Sequence, residues 1–175
     1  PLLLLPFDAV LRRADELAGH RAEARPHGAR QVRREAGADR DEHRELDEGA
    51  ALFSAVWNVA HIPCVAVENP VMHKHAKARI VNYAPPAQTV QPWQFGTDPD
   101  GPDNERKRTC FWLRGLPVLT PTGTLDGTTA RDSVHKASPG PDRWKQRSRF
   151  FPGLAAAMAH QWGDHAARAY ERRAA

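Results

Sequence analysis

Residues 64–70 read Cys64-Val65-Ala66-Val67-Glu68-Asn69-Pro70. A short apolar run with two β-branched residues stops at a carboxylate, an amide and a proline ring that cannot continue a helix. A strand covered on both faces is apolar at every position, so this run reads as a buried strand of an α/β sheet. In open α/β sheets, ligands bind in the crevice outside the carboxyl ends of the strands. Glu68 and Asn69 stand at that end, which makes them the leading site candidates.

Upstream, Leu46, Ala50, Leu52, Phe53, Val56 and Trp57 share one apolar face and predict an amphipathic helix over about 47–59. His61-Ile62-Pro63 is a short connection, so helix, loop and strand form half of a βαβ unit. Downstream, the run from Val71 to Ile80 predicts a short helix with Lys74, Lys77 and Arg79 outward. Gln88 to Phe95 alternates and reads as a strand interrupted at Pro92. Residues 96–105 form a turn-rich loop, and Arg108 to Leu113 form a second strand, giving a hairpin or an adjacent pair. Residues 120–141 are rich in Thr, Gly and Pro and read mostly as loop. Phe151 to Trp162 predicts a helix with Pro152 in its first turn, where the missing N–H costs little. Gly163 is expected to end it, leaving 164–175 as an exposed helical tail.

The first 44 residues are different. Phe7, Val10, Leu11 and Leu17 have roughly helical spacing, but from Arg21 to Asp47 only Val32 and Leu46 could enter a core. Such a stretch cannot bury enough surface to offset its ordering entropy and reads as a solvated helix, a linker or disordered chain.

A length of 175 residues suits one domain with a real core, and 41% hydrophobic with 26% charged residues are globular values. A mean hydropathy of −0.63 implies much exposed or irregular chain. The net charge of +4 is compatible with nucleic acid without demanding it. The first fifty residues carry 9 basic against 11 acidic side chains, so the basic excess belongs to the remainder. Two cysteines, Cys64 and Cys110, cannot build a disulfide framework and read as buried thiols. The Leu2–Leu5 run is too short to span a bilayer and lacks the flanks of a signal peptide, which makes the cytoplasm the default location. Starting at Pro1 without Met, the chain reads as a processed product or a fragment.

Asp98 to Glu105 invites a calcium reading, but its Gly and terminal Glu are misplaced for an EF-hand, and a solvated loop tip is preferred. His73 and His75, with His61 nearby, have neither helical-pair nor zinc-site spacing and read as surface histidines, so no metal is expected. No glycine-rich phosphate loop and no Gly-x-Ser-x-Gly elbow occurs. Between Ser138 and Phe151, cations and aromatics interleave. Arg143, Lys145, Arg147 and Arg149 are suited to phosphates, and Trp144 and Phe150 to stacking on bases or packing inward. A plain basic surface loop explains the stretch equally well. In Gln91-Pro92-Trp93-Gln94-Phe95-Gly96, either core packing at a bulged edge strand or a ligand bonded by Gln91 or Gln94 beside Glu68 accounts for the cluster.

Taken as an ordered series, these pieces resemble the phage and prophage proteins described as DNA cytosine methyltransferase-like. The series runs from Leu52-Phe53-Ser54-Ala55-Val56-Trp57-Asn58 through Ile62 to His73, then Gln88 to Gly96 and Lys107 to Pro117. It closes with Pro139-Gly140-Pro141-Asp142-Arg143-Trp144, Arg147-Ser148-Arg149, Pro152 to Ala159 and Gln161-Trp162-Gly163. It covers residues 45–163 and is specific as a set rather than in any one piece. The resemblance implies an α/β fold that is part of a Rossmann-like S-adenosylmethionine methyltransferase scaffold, incomplete on its N-terminal side. It implies DNA as partner, a cytosine flipped from the duplex, and a thiolate attacking C6 while a glutamate holds N3. Glu68 matches that glutamate and Asn69 its neighbour, with Pro70 where Val is usual. Pro152 and Gly153 match the late motif near the cofactor, while Arg143, Trp144, Lys145, Arg147, Arg149, Gln91 and Gln94 are the nucleic-acid candidates.

The family's Phe-x-Gly-x-Gly turn and its Pro-Pro-Cys nucleophile motif are absent. Cys64 follows a proline but begins the strand that presents Glu68, roughly 13 Å back along an extended chain. It also lacks a group to lower its pKa and is not the nucleophile. Upstream of residue 45 the composition reads as a shifted frame or an unrelated leader. The expectation is a methyltransferase-like protein that is inactive or incomplete as a lone chain. The alternatives are a non-catalytic nucleic-acid-binding protein and a truncated product without function.

Overall fold

The computed structural model describes residues 3–6, 43–44, 46–137 and 148–174. The expected helix over Phe7 to His20 lies outside them, as do Arg143, Trp144, Lys145 and Arg147.

The elements follow in the order β1 (Leu3–Pro6), α1 (residues 46–57), β2 (Val65–Asn69), a single turn α2 (Lys74–Lys77), β3 (Gln88–Val90), a 3-10 turn (Pro92–Phe95), β4 (Thr109–Arg114) and α3 (Pro152–Ala174). The strands form one mixed sheet in the order β1-β2-β4-β3. β1 runs parallel to β2, from Leu3 opposite Val65 to Pro6 opposite Glu68. β2 and β4 are antiparallel, with Val67 opposite Trp112 and Glu68 opposite Phe111, and β3 pairs antiparallel with β4. The fold is α/β. The parallel pair joined through α1 matches the βαβ reading, whereas the leucine run that supplies β1 gave no strand signal of its own.

β2 is buried on both faces, as its apolar run requires, and its alternation sorts the core into two halves. Val65 and Val67, with Cys110 and Trp112 of β4, pack against Ala50, Phe53 and Val56 of α1. Phe53 meets the Trp112 ring edge-on at 5.3 Å. On the opposite face, Ala66 and Phe111 pack against Leu154, Ala157, Met158 and Trp162 of α3. Those four helical positions lie on one stripe, and Trp162 meets Phe111 edge-on at 5.6 Å. The sheet is thus sandwiched between two helices.

Three sequence expectations change. Leu52, assigned to the apolar face of α1, is 44% exposed, because the stripe through Leu46, Ala50, Phe53 and Val56 already covers the sheet. Pro92 does not interrupt a strand but starts a 3-10 turn, where its fixed φ and missing N–H are tolerated. Gly163 does not end α3. Nothing lies within 4 Å of its Cα-side space, so it sits on the solvent face. A solvent-facing glycine costs a helix only about 1 kcal/mol, which the packed stripe before it offsets.

The junction between α1 and β2 depends on Arg114. Its guanidinium donates to the carbonyls of Trp57 (2.7 Å), Val59 and Ile62 (3.2 Å). These include groups at the carboxyl end of α1, where a cation also meets the helix dipole favourably. Next to it, Gly115 has φ +66°, and a Cβ there would lie 2.2 Å from the Pro63 carbonyl oxygen, so only glycine fits the close crossing of the two chain segments. The Gly115 carbonyl accepts from Cys64 Sγ at 3.2 Å and from His165 Nε2 at 2.9 Å, tying the start of β2 and α3 to this turn.

Replacing Arg114 with Leu would leave these carbonyls without their charged donor. We expect a loss of about 1.5–3 kcal/mol in urea denaturation. An unchanged midpoint would contradict the bracing role.

Candidate functional site

Glu68 is the fourth residue of β2 and therefore faces α3, while Asn69 faces α1. The two neighbours that the sequence offers as one site lie on opposite sides of the sheet. Asn69 is 1% exposed, and its Nδ2 has no hydrogen-bond partner among the described residues. Glu68 lines a recess that is open to solvent and encloses about 30 Å³.

The walls of this recess follow from strand alternation. Opposite Glu68 on β4 stands Phe111, and counting back by two gives Thr109 and Lys107, all three lining the recess. Phe150, Phe151, Leu154 and Met158 close the other side from the start of α3. Ser148 and Arg149 complete the rim. Lys107 Nζ sits 5.8 Å from the centre of the Phe151 ring, a cation–π distance, which places a positive charge at the edge of an aromatic wall. Thr109 is buried, and its hydroxyl donates to the Lys107 carbonyl at 3.3 Å. One carboxylate, two hydroxyl groups and two cations thus line a recess with aromatic and aliphatic sides.

Gln91 and Gln94 are at the same end of the sheet as Glu68, since β3 ends where β4 begins. They are two strands away, on the order of 10 Å, and do not line the recess. Gln94 Oε1 accepts from the Gln91 backbone N–H at 2.7 Å and shapes the 3-10 turn. The core-packing reading of this cluster describes its geometry.

Pro152 and Gly153 open α3. The Gly153 N–H donates to Asp103 Oδ1 at 2.9 Å, so the protein's own carboxylate caps this helix end. A Cβ on Gly153 would fall 2.3 Å from the Phe95 carbonyl oxygen. The glycine is a packing contact between α3 and the 3-10 turn.

Both cysteines of the chain are buried. Cys64 Sγ donates to the Gly115 carbonyl, and Cys110 faces α1 and contacts Thr89 Oγ1 at 3.6 Å. Neither lines the recess. The His73 and His75 rings lie 5.0 Å apart, tilted by 49°, and Arg79 bonds both Asp47 and His43. Desolvation, then the cations of His73, Lys74 and Arg79, hold the His75 pKa below the usual histidine value. Among the described residues, no group of three or more His, Cys, Asp or Glu is placed to hold a metal. No helix among them is long and apolar enough to cross a membrane.

Sequence reasoning missed Lys107, Thr109 and the Phe151 wall. The signal was present: with period two, residues 107, 109 and 111 share a face, and antiparallel pairing sets that face beside Glu68. Expecting a parallel neighbour concealed it.

Gly153→Ala should lower the thermal stability by about 1–3 kcal/mol, because the new methyl meets a backbone carbonyl that cannot rotate away. A neutral result in a melting experiment would show that α3 is not seated on the 3-10 turn as described.

Comparison with protein-family models, with curated proteins and with solved structures finds no match for this chain.

Proposed function

We propose that this chain is a DNA-binding, DNA (cytosine-5) methyltransferase-like protein that holds a base without transferring a methyl group by itself. The observation that carries the reading is the Glu68 carboxylate at the carboxyl end of β2, in a recess walled by Phe111, Phe150 and Phe151. A cytosine presents an N3 acceptor beside an N4 amine donor, and a single carboxyl group can satisfy that edge by donating to N3 when protonated and accepting from N4. Aromatic walls supply the stacking that a base loses when it leaves the duplex, and Lys107 and Arg149 favour an approaching phosphate chain. β1 and β2 run parallel through α1 with their carboxyl ends at this recess, which is compatible with a Rossmann-like scaffold.

The same geometry argues against chemistry by this chain alone. C6 attack needs an accessible thiolate, and Cys64 and Cys110 are both buried and neither lines the recess. S-adenosylmethionine belongs to the reading only through the sequence resemblance, since Gly153 is engaged by Asp103 and Phe95. No step is routed through it. A non-catalytic nucleic-acid-binding protein is therefore the form of the proposal that the buried cysteines favour.

Two assays on double-stranded DNA test the proposal. Binding should weaken steeply with salt, since each phosphate contact contributes about 0.9 to the slope of log K against log salt. Replacing Arg143, Lys145, Arg147 and Arg149 with Ala should lower both affinity and slope. Unchanged binding would discard the interface. Methyl incorporation should stay at background. Robust incorporation that survives Cys64→Ser and vanishes with Glu68→Ala would show that the nucleophile has been misread.

A further inference from the structure

A second recess lies beside the first, and we propose that it binds a phosphate group. It is open to solvent, encloses about 300 Å³, and is formed by residues around Glu105, Arg131 and Ser133 together with Arg149 and Phe151. Glu105 is 3% exposed and sits against the polypeptide: Ser133 Oγ donates to its Oε2 at 2.5 Å and the Val134 N–H to its Oε1 at 3.3 Å. With both oxygens engaged by donors, this carboxylate is a structural anion, and its partner is Arg131, whose Nε lies 3.9 Å away.

Arg131 is held as well from the 98–101 turn, donating to the carbonyls of Gly101 at 2.5 Å and Asp100 at 3.4 Å. A guanidinium has five N–H donors, and the hydrogen bonds to these two carbonyls use two. The side chain is still 43% exposed, so a planar, pre-oriented cation faces the recess. Arg149 brings a second guanidinium from the chain leading into α3. Two guanidinium groups against one engaged carboxylate leave the recess positive, and their donor geometry matches an oxyanion.

Arg149 and Phe151 line both recesses, so the two are neighbours separated by one aromatic side chain. Within a nucleotide, a sugar of comparable size separates base from phosphate. The second recess thereby takes the phosphate of the nucleotide whose base enters beside Glu68. This inference rests on the base-binding reading of Glu68 for the identity of the ligand, but not for its charge.

Titrations of the full chain with 2′-deoxycytidine, its 3′- and 5′-monophosphates and inorganic phosphate separate the two ideas. One monophosphate should bind about tenfold tighter than the nucleoside, the scale of a charged hydrogen-bonded contact. That gain should disappear in Arg149→Ala, an exposed position, and shrink in Arg131→Lys. Arginine-dependent binding of inorganic phosphate without any cytidine contribution would keep the phosphate site and sink the base reading. A phosphate gain equal in wild type and both variants, or no phosphate binding at all, would overturn the inference. Glu68-dependent nucleoside binding would in that case leave the base reading intact.

Discussion

The antiparallel pairing of β2 with β4 is the constraint on which the other features depend. Side chains alternate along a strand, so a slip of one residue would move every side chain of β2 to the other face. In the observed register, Val65 and Val67 meet α1, and Ala66 and Glu68 meet α3. Phe111 is opposite Glu68, and Lys107 and Thr109 follow on the same face. A slipped register would bury Glu68 against Phe53 and Val56, where a carboxylate has no donor and costs several kcal/mol. The same apolar requirement that builds the core therefore selects the one arrangement in which Glu68 reaches solvent.

Long irregular segments surround this sheet, and side-chain amides and indoles satisfy their backbone groups where no strand partner exists. Gln88 donates to the Leu119 carbonyl at 2.6 Å and accepts from the Leu119 N–H at 2.8 Å. Gln161 does the same for Thr120, at 2.8 Å in each direction. Each amide imitates a strand neighbour. The half-buried Trp57 and the buried Trp112 and Trp162 each donate from the indole to a loop carbonyl, of Asn82, Ala84 and Pro117 respectively. The loops around β3 and α3 are thus pinned at defined points.

The parts of the fold legible in the sequence are those with a strong period. The β2 run and the apolar stripe of α1 are evident from residue type alone, as are β4 and the start of α3. Legibility fails where a decision rests on tertiary pairing. The leucines at Leu3–Leu5 look like a stray apolar run until β2 provides a partner. Gly163 looks like a stop until the helix face it occupies is known. Glu68 is recognisable as a strand-end carboxylate, but that Asn69 turns away from it follows only from the two-sided burial. Pro152 and Gly153 carry a motif-like pattern that the structure uses for docking α3 on Phe95.

The account's central claim is that Glu68 reads a base edge. Binding of single-stranded oligodeoxycytidine against oligodeoxythymidine tests it most directly, because unpaired strands avoid the cost of opening a duplex. Thymine offers an N3–H donor and an O4 acceptor where cytosine offers the reverse, so a carboxyl set for one edge mismatches the other. The account predicts a preference for cytosine of roughly tenfold, abolished by Glu68→Ala while salt-dependent binding of both oligonucleotides persists. Equal affinity for the two in wild type, or a cytosine preference that Glu68→Ala leaves intact, would contradict it.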